Sequence, residues 1–213
     1  MSELKTEEEQ IEAFKAWWKK NGTALVLAVA VGVGGYFGWQ GWQTSQANHV
    51  AEASALYQSL TEAATDLSKE DNQQTVRFVA QQLSEDYEDT GYALFGQLFL
   101  ARVDAEAGNY DAAISALNKA MDSSEDASFD AIAKIRIARL QAEQGDHGAA
   151  MTTLENVTGD EFAGQVHELK GDILLAQGKR EEARSAYEAA VAAMGANAQH
   201  PLLDIKLKDL VQG

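Results

Sequence analysis

Phe95, Leu98 and Arg102 repeat, in their order and spacing, as Ile132, Ile135 and Arg139 further along the chain. An apolar wall studded with arginines could hold an extended or helical polypeptide segment, through apolar burial and charge-assisted hydrogen bonds. The same six residues fit equally well as a covered core, overlain by the two helices expected before Gly91. A third set at the matching positions, Gln165, Glu168, Asp172 and Leu175, is polar and acidic instead.

Side chains suited to catalysis or metal binding do not form a pattern. His49, His147, His167 and His200 are scattered, and none has a His-x3-His or His-Glu-x-x-His partner. The acidic clusters at 85–89 and 122–126 lack the spacing and glycine of a calcium loop, and read as solvated loops and helix ends. No Gly-x-Ser-x-Gly elbow is present, and the absence of cysteine removes thiolate zinc sites, thiol nucleophiles and disulfides together. The expectation is a binding protein with no enzymatic activity, no metal and no cofactor.

The elements that must position the two apolar-arginine sets are helical. One proline in 213 residues, with abundant alanine, leucine, glutamine and glutamate, favours helix throughout and gives an all-α fold class. A formal net charge of −16 repels nucleic acid and the anionic face of a membrane, so no nucleic-acid partner is expected.

Between Lys20 and Glu52 there is no charged residue apart from histidine, and the stretch from Gly22 to Trp42 is nearly all small, aliphatic or aromatic. A helix of about 20 such residues spans the ~30 Å hydrocarbon core of a bilayer. Trp17 and Trp18 beside Lys19 and Lys20 mark one interface, and Tyr36, Trp39 and Trp42 the other. Lys5, Lys15, Lys19 and Lys20 precede the run, whereas Lys69 is the first lysine or arginine after it, which places the N-terminus in the cytoplasm. A cleaved signal peptide is the rival, with Ser45-Gln46-Ala47 as a loose cleavage site. The acidic leader Glu7-Glu8-Glu9, the length of the run and the bulky Trp39 and Trp42 favour an uncleaved anchor.

Within the span, Ala30, Gly34 and Gly38 stand four apart, a spacing that lets two membrane helices approach closely and that also arises from simple composition. Before it, Thr6-x-x-Glu9 reads as a capping box, followed by Ile11, Phe14, Trp17 and Trp18 at helical spacing. This predicts a short amphipathic helix at the interface, or alternatively a solvated tail. The expected organisation is a leader over 1–21, a transmembrane helix over 22–42, and a translocated helical domain over 43–213.

In that domain, helix turns repeat a pattern. Gly108, Gly145 and Gly178 are each followed at five residues by alanine (Ala113, Ala150, Ala183), then by Leu117, Leu154 or Tyr187, and then by Ala120, Val157 or Ala190. Each unit predicts a helical hairpin whose glycine supplies a positive-φ cap. The spacing is near the tetratricopeptide period of about 34 residues, and the units resemble tetratricopeptide repeats. Ala101, Ala138 and Gly171 fall at the small position of the first helix, but Gln97, Lys134 and His167 replace the usual early aromatic, so the repeats are degenerate. His49 to about Leu67 and Asn72 to about Tyr87 predict a first hairpin after a polar connection, and Pro201 opens a terminal capping helix. The fold is a single transmembrane helix followed by a short α-solenoid of tetratricopeptide-like hairpins.

The leader MSELKTEEEQIEAFKAWWKKNG, the glycine-rich anchor and the degenerate repeats together resemble the YfgM-type ancillary subunit family of the bacterial SecYEG translocon, over essentially the full length. The resemblance implies a single-pass inner-membrane protein with its bulk in the periplasm. It implies association with the SecYEG translocon and with a membrane-anchored periplasmic peptidyl-prolyl isomerase. It also implies help in passing translocating polypeptides to periplasmic chaperones. The rival is a membrane-anchored scaffold that links translocon and isomerase without touching clients. No short active-site motif carries over from the family.

Overall fold

A computed structural model of the chain describes residues 7–195 and 201–212, the side chains of 211 and 212 excepted. The capping Thr6 and His200 lie outside the described residues. Among the described residues the secondary structure is helical with no strand: α1 (Glu7–Ala63), α2 (Glu70–Asp86), α3 (Gly91–Glu106), α4 (Tyr110–Asp122), α5 (Ala127–Glu143), α6 (His147–Glu155), a 3-10 turn at Asp160–Phe162, α7 (Ala163–Ala176), α8 (Arg180–Met194) and α9 (Pro201–Gln212). The chain divides into two compact units, one up to Glu52 and one from Ala53 onward.

In the first unit the leader helix, the apolar run and residues 43–52 form part of one helix, not a short helix, a span and a polar connection. The physical reason lies in the residues at the expected breaks. A single interior glycine costs about 1 kcal/mol, and at Gly22 the Trp18 ring covers the backbone, so that an added Cβ would lie 3.0 Å from it. From Gln43 to Leu67 there is no glycine or proline to stop the helix. Leu25, Val26, Leu27, Val29, Val31, Val33 and Phe37 are exposed, and only 6% of the apolar window is buried. A core helix of a soluble domain would be mostly covered, whereas this run fits an apolar solvent. Phe14 stacks on Trp17 and Trp18 at 6.3 and 6.2 Å, and Trp39 lies 5.2 Å from Trp42, so each end of the run carries an aromatic cluster.

In the second unit, among the described residues, the C-terminal part of α1 and α2 are followed by three helical hairpins and a cap. The C-terminal part of α1 shares a core with α2 and α3, in which Ala53, Leu60, Val76, Val79, Leu83 and Val103 are buried. The turn between them is tied by Asn72 and Gln73, whose side-chain amides donate to the carbonyls of Asp66 and Leu67 at 2.8 and 2.7 Å. The hairpins α3–α4, α5–α6 and α7–α8 bear out the repeat. Gly108, Gly145 and Gly178 have φ of 76°, 82° and 75°, which a side chain would strain. The amide of the residue after each glycine donates five residues back, Asn109 to Asp104 at 2.8 Å, Asp146 to Gln141 at 2.9 Å and Lys179 to Leu174 at 3.0 Å. These are Schellman caps, and they end three helices alike. Of the residues expected to pack next, Ala113, Leu117, Ala120, Ala150, Leu154, Ala183, Tyr187 and Ala190 are buried, while Val157, past the end of α6 at Glu155, is half-buried against the same core as Ala150 and Leu154.

Candidate functional site

Hairpins stacked at a shared register leave a slot between successive first helices, and the residues on the facing stripes decide what fills it. Between α3 and α5, floored by Leu117 of α4, lies an open cleft of about 450 Å³. Phe95, Leu98, Phe99 and Arg102 line it from α3, and Arg136, Arg139 and Leu140 from α5. Phe95 remains 44% exposed. The C-terminal part of α1 covers part of this surface: Tyr57 sits 5.6 Å from the Phe95 ring and 6.2 Å from Phe99. It forms an aromatic border and leaves the cleft unfilled.

Four of the six residues singled out from sequence, Phe95, Leu98, Arg102 and Arg139, therefore face one cleft. Ile132 is exposed on α5 outside its lining, and Ile135 does not belong to it at all. Ile135 is buried with Ala131, Ala138, Ala150 and Leu154. The error is one of helical register. Residues 131, 135 and 138 form one stripe at i, i+4, i+7 and turn to the core, while 132, 136 and 139 form the neighbouring stripe and turn outward. Following the second stripe strictly would have found Arg136, which sequence reasoning missed together with Phe99, Leu117 and Leu140.

The arginines of the cleft differ in their partners. Arg102 Nε donates to Glu106 Oε1 at 2.8 Å on its own helix, an exposed pair of small energetic weight. Arg136 and Arg139 form no ion pair with any described residue.

The acidic set of the third repeat is not an open groove. Lys206 of α9 donates to Glu168 Oε1 at 2.8 Å and to Asp172 Oδ1 at 2.7 Å, and Tyr187 Oη donates to the same Asp172 oxygen at 2.7 Å. Leu203 is buried among Ala183, Tyr187 and Ala190, with Leu174 and Leu207 beside it, so α9 closes this end with apolar packing and charge together. Burial alone would lower the Lys206 pKa, but the hydrogen bonds to Asp172 and Glu168 outweigh it and hold it above the usual lysine value. Burial and then the Asp172 hydrogen bond push the Tyr187 phenol well above its usual range.

A second cleft, of about 700 Å³, lies among α2, α3 and α4. Its charges are mixed and partly self-paired: Arg77 binds the buried Asp104, with Glu85, Glu88, Lys119 and Asp122 at the rim. Gln97, at the position where an aromatic is usual, donates to Ser84 Oγ there. In the apolar helix, Ala30, Gly34 and Gly38 are exposed, and a Cβ added at either glycine would meet nothing within 4 Å. Among the described residues no group of three or more histidines and carboxylates converges in a metal-holding arrangement.

A family model described as a tetratricopeptide repeat-like domain matches residues 15–212. Three relatives resemble the chain along nearly its whole length. A protein of Haemophilus influenzae is 33% identical over 204 residues, covering 96% of this chain and 97% of the relative. One of Aggregatibacter actinomycetemcomitans is 31% identical over the same shares, and one of Escherichia coli K12 is 28% identical over 210 residues, 99% of each. All three bear the name ancillary SecYEG translocon subunit. With similarity along nearly the whole chain and three hairpins capped alike, the chain belongs to the family of ancillary SecYEG translocon subunits, built on a tetratricopeptide repeat-like domain.

Proposed function

We propose that this chain is a non-enzymatic accessory subunit of the SecYEG translocon. One helix over 22–42 anchors it in the inner membrane, with residues 1–21 in the cytoplasm and 43–213 in the periplasm. The observation that carries the reading is the near-complete overlap with relatives named for that role. The exposed apolar run with an aromatic cluster at each end supports the anchor, and the lysine asymmetry about it supports the orientation.

The mechanism makes and breaks no bond. Ala30, Gly34 and Gly38 present a flat strip that lets a helix of the translocon, or of a membrane-anchored periplasmic peptidyl-prolyl isomerase, pack closely. The repeat domain holds segments of translocating envelope proteins in the cleft bordered by Phe95 and Arg139 and so helps pass them to periplasmic chaperones.

Site-specific photo-cross-linking in intact cells tests both halves. Probes at Phe95 and Arg139 are expected to capture many secretory chains, and a probe at Gly38 to capture translocon or isomerase helices. Adducts from Phe95 and Arg139 to a single membrane partner would replace this reading with a scaffold that never touches clients.

A further inference from the structure

Arginine in this chain is scarce, and four of its six arginines have partners within it. Of six arginines, Arg77 pairs with Asp104, Arg102 with Glu106 and Arg184 with Glu188, while Arg180 donates to the carbonyls of Asp209 and Leu210. Arg136 and Arg139 are left, one helical turn apart, without an acid among the described residues of a chain that has 33 acids. They border the same apolar cleft as Arg102. Two guanidiniums three residues apart repel, and no ion pair with a described residue offsets that.

The chain also holds a filled version of the same slot. Counted from the cap glycines, Arg102, Arg139 and Asp172 stand at one register position, and Leu98 and Glu168 share another. At the third repeat the acids take a lysine, Lys206, from a helix that buries Leu203 beside it. At the first, the positions carry an aliphatic and a cation, and the cleft stands open.

We infer that the α3–α5 cleft binds a partner polypeptide segment in which carboxylates flank an aromatic or aliphatic side chain, the carboxylates on Arg136 and Arg139 and the apolar group on Phe95 and Leu98. This rests on the reading of the repeat domain as a peptide binder and names its ligand class. Guanidinium matches carboxylate geometry through paired donors, which amide or hydroxyl partners reproduce only in part. A cleft of about 450 Å³ lies within the ~300–1,000 Å³ of ordinary ligand sites, enough for side chains of a segment and too small for a folded domain. Long-range repulsion from the net charge acts against an acidic ligand, but falls off beyond about 8 Å at physiological salt and leaves the local pairing to decide.

The test uses the full-length protein in lipid nanodiscs and three labelled peptides that share their phenylalanines and leucines and carry glutamate, glutamine or lysine between them. Fluorescence anisotropy is expected to give the glutamate peptide about tenfold tighter binding than the glutamine peptide, with the lysine peptide weakest. In the double variant Arg136→Gln/Arg139→Gln that preference should fall below about twofold, with the glutamine peptide unaffected. Phe95→Ala should weaken glutamate and glutamine peptides alike. Equal affinity for glutamate and glutamine, or a preference that survives the double variant, overturns the inference. If those peptides bind equally and Phe95→Ala weakens both, the peptide-binding reading stands and only the acidic preference is lost. If none binds, both fail.

Discussion

The α7–α9 end and the α3–α5 slot are built on the same register and end in opposite states. At α7 the residue seven before the cap glycine is Gly171, and the residue nine after it is Tyr187; the corresponding pairs are Ala101 with Leu117 and Ala138 with Leu154. A Cβ at Gly171 would sit 2.4 Å from the Tyr187 ring, so glycine makes the room that tyrosine fills. The tyrosine brings a hydroxyl, which orients Asp172, which with Glu168 receives Lys206. In the α3–α5 slot the pair is alanine and leucine, no hydroxyl enters, Arg102 and Arg139 stand where Asp172 would be, and Leu98 stands where Glu168 would be. Repeat geometry sets where a slot forms; side-chain charge sets whether the chain fills it from within.

The largest effect that would break this comparison is expected at Gly171. Gly171→Ala drives a methyl group into a fully buried ring and should destabilise the domain by about 3 kcal/mol, at the upper end for an overpacked core. Ala101→Gly, at the same register position, should cost only about 1 kcal/mol. If volume matching is the cause, Tyr187→Leu must be less harmful in the Gly171→Ala background than in the parent. A double-mutant cycle by urea unfolding, showing additive losses, would end the pairing argument.

A smaller loss is expected at the charge that closes this end. Lys206→Met leaves the apolar stem and removes the ammonium from Asp172 and Glu168, a partly exposed contact worth about 1 kcal/mol. Hydrogen exchange of the α9 amides should quicken about fivefold, with α3 and α4 unchanged. The pH dependence has a definite sign. Lys206 and Tyr187 both have folded pKa values raised above the unfolded ones, so their contributions are complete below the unfolded values of about 10 and are lost as pH rises through the folded values. The stability gap between parent and Lys206→Met should therefore be flat from neutral pH to about 10 and close above it. A gap that changes between pH 6 and 9 would mean that another group controls the junction.

The parts of the molecule written in the sequence are those set by backbone chemistry and by periodic small residues. The cap glycines at 108, 145 and 178 announce their hairpins because a positive φ is needed there, and the alanines and Tyr187 that follow are buried as their spacing requires. Helix continuity was less legible, since Gly22 looks like a break until Trp18 is seen folded over it. The candidate site was half legible. Phe95, Leu98, Arg102 and Arg139 lie on outward stripes, but on α5 the buried and exposed stripes are adjacent and both begin with apolar residues, so Ile135 was drawn into the site and Arg136 left out. The pairing of Glu168 and Asp172 with Lys206 could not be read at all, because it joins residues 34 and 38 apart and α9, unlike the three hairpins, has no repeated pattern that fixes its register.

The smallest effect is the one that sharpens the comparison most. Arg136→Gln/Arg139→Gln exchanges two exposed arginines for a residue of similar helix propensity and breaks no ion pair among the described residues. Stability should change by no more than about 0.5 kcal/mol in either direction, because relief of the repulsion between two like charges is set against a net charge that moves further from zero than −16. Removing a charge at the α7–α9 end loosens a helix, whereas removing two at the open slot leaves the fold as firm, with the loss confined to peptide binding. A destabilisation above about 1 kcal/mol in a thermal or urea melt would show that these arginines hold the hairpins together, and the slot would then be a fold element like its counterpart at α9.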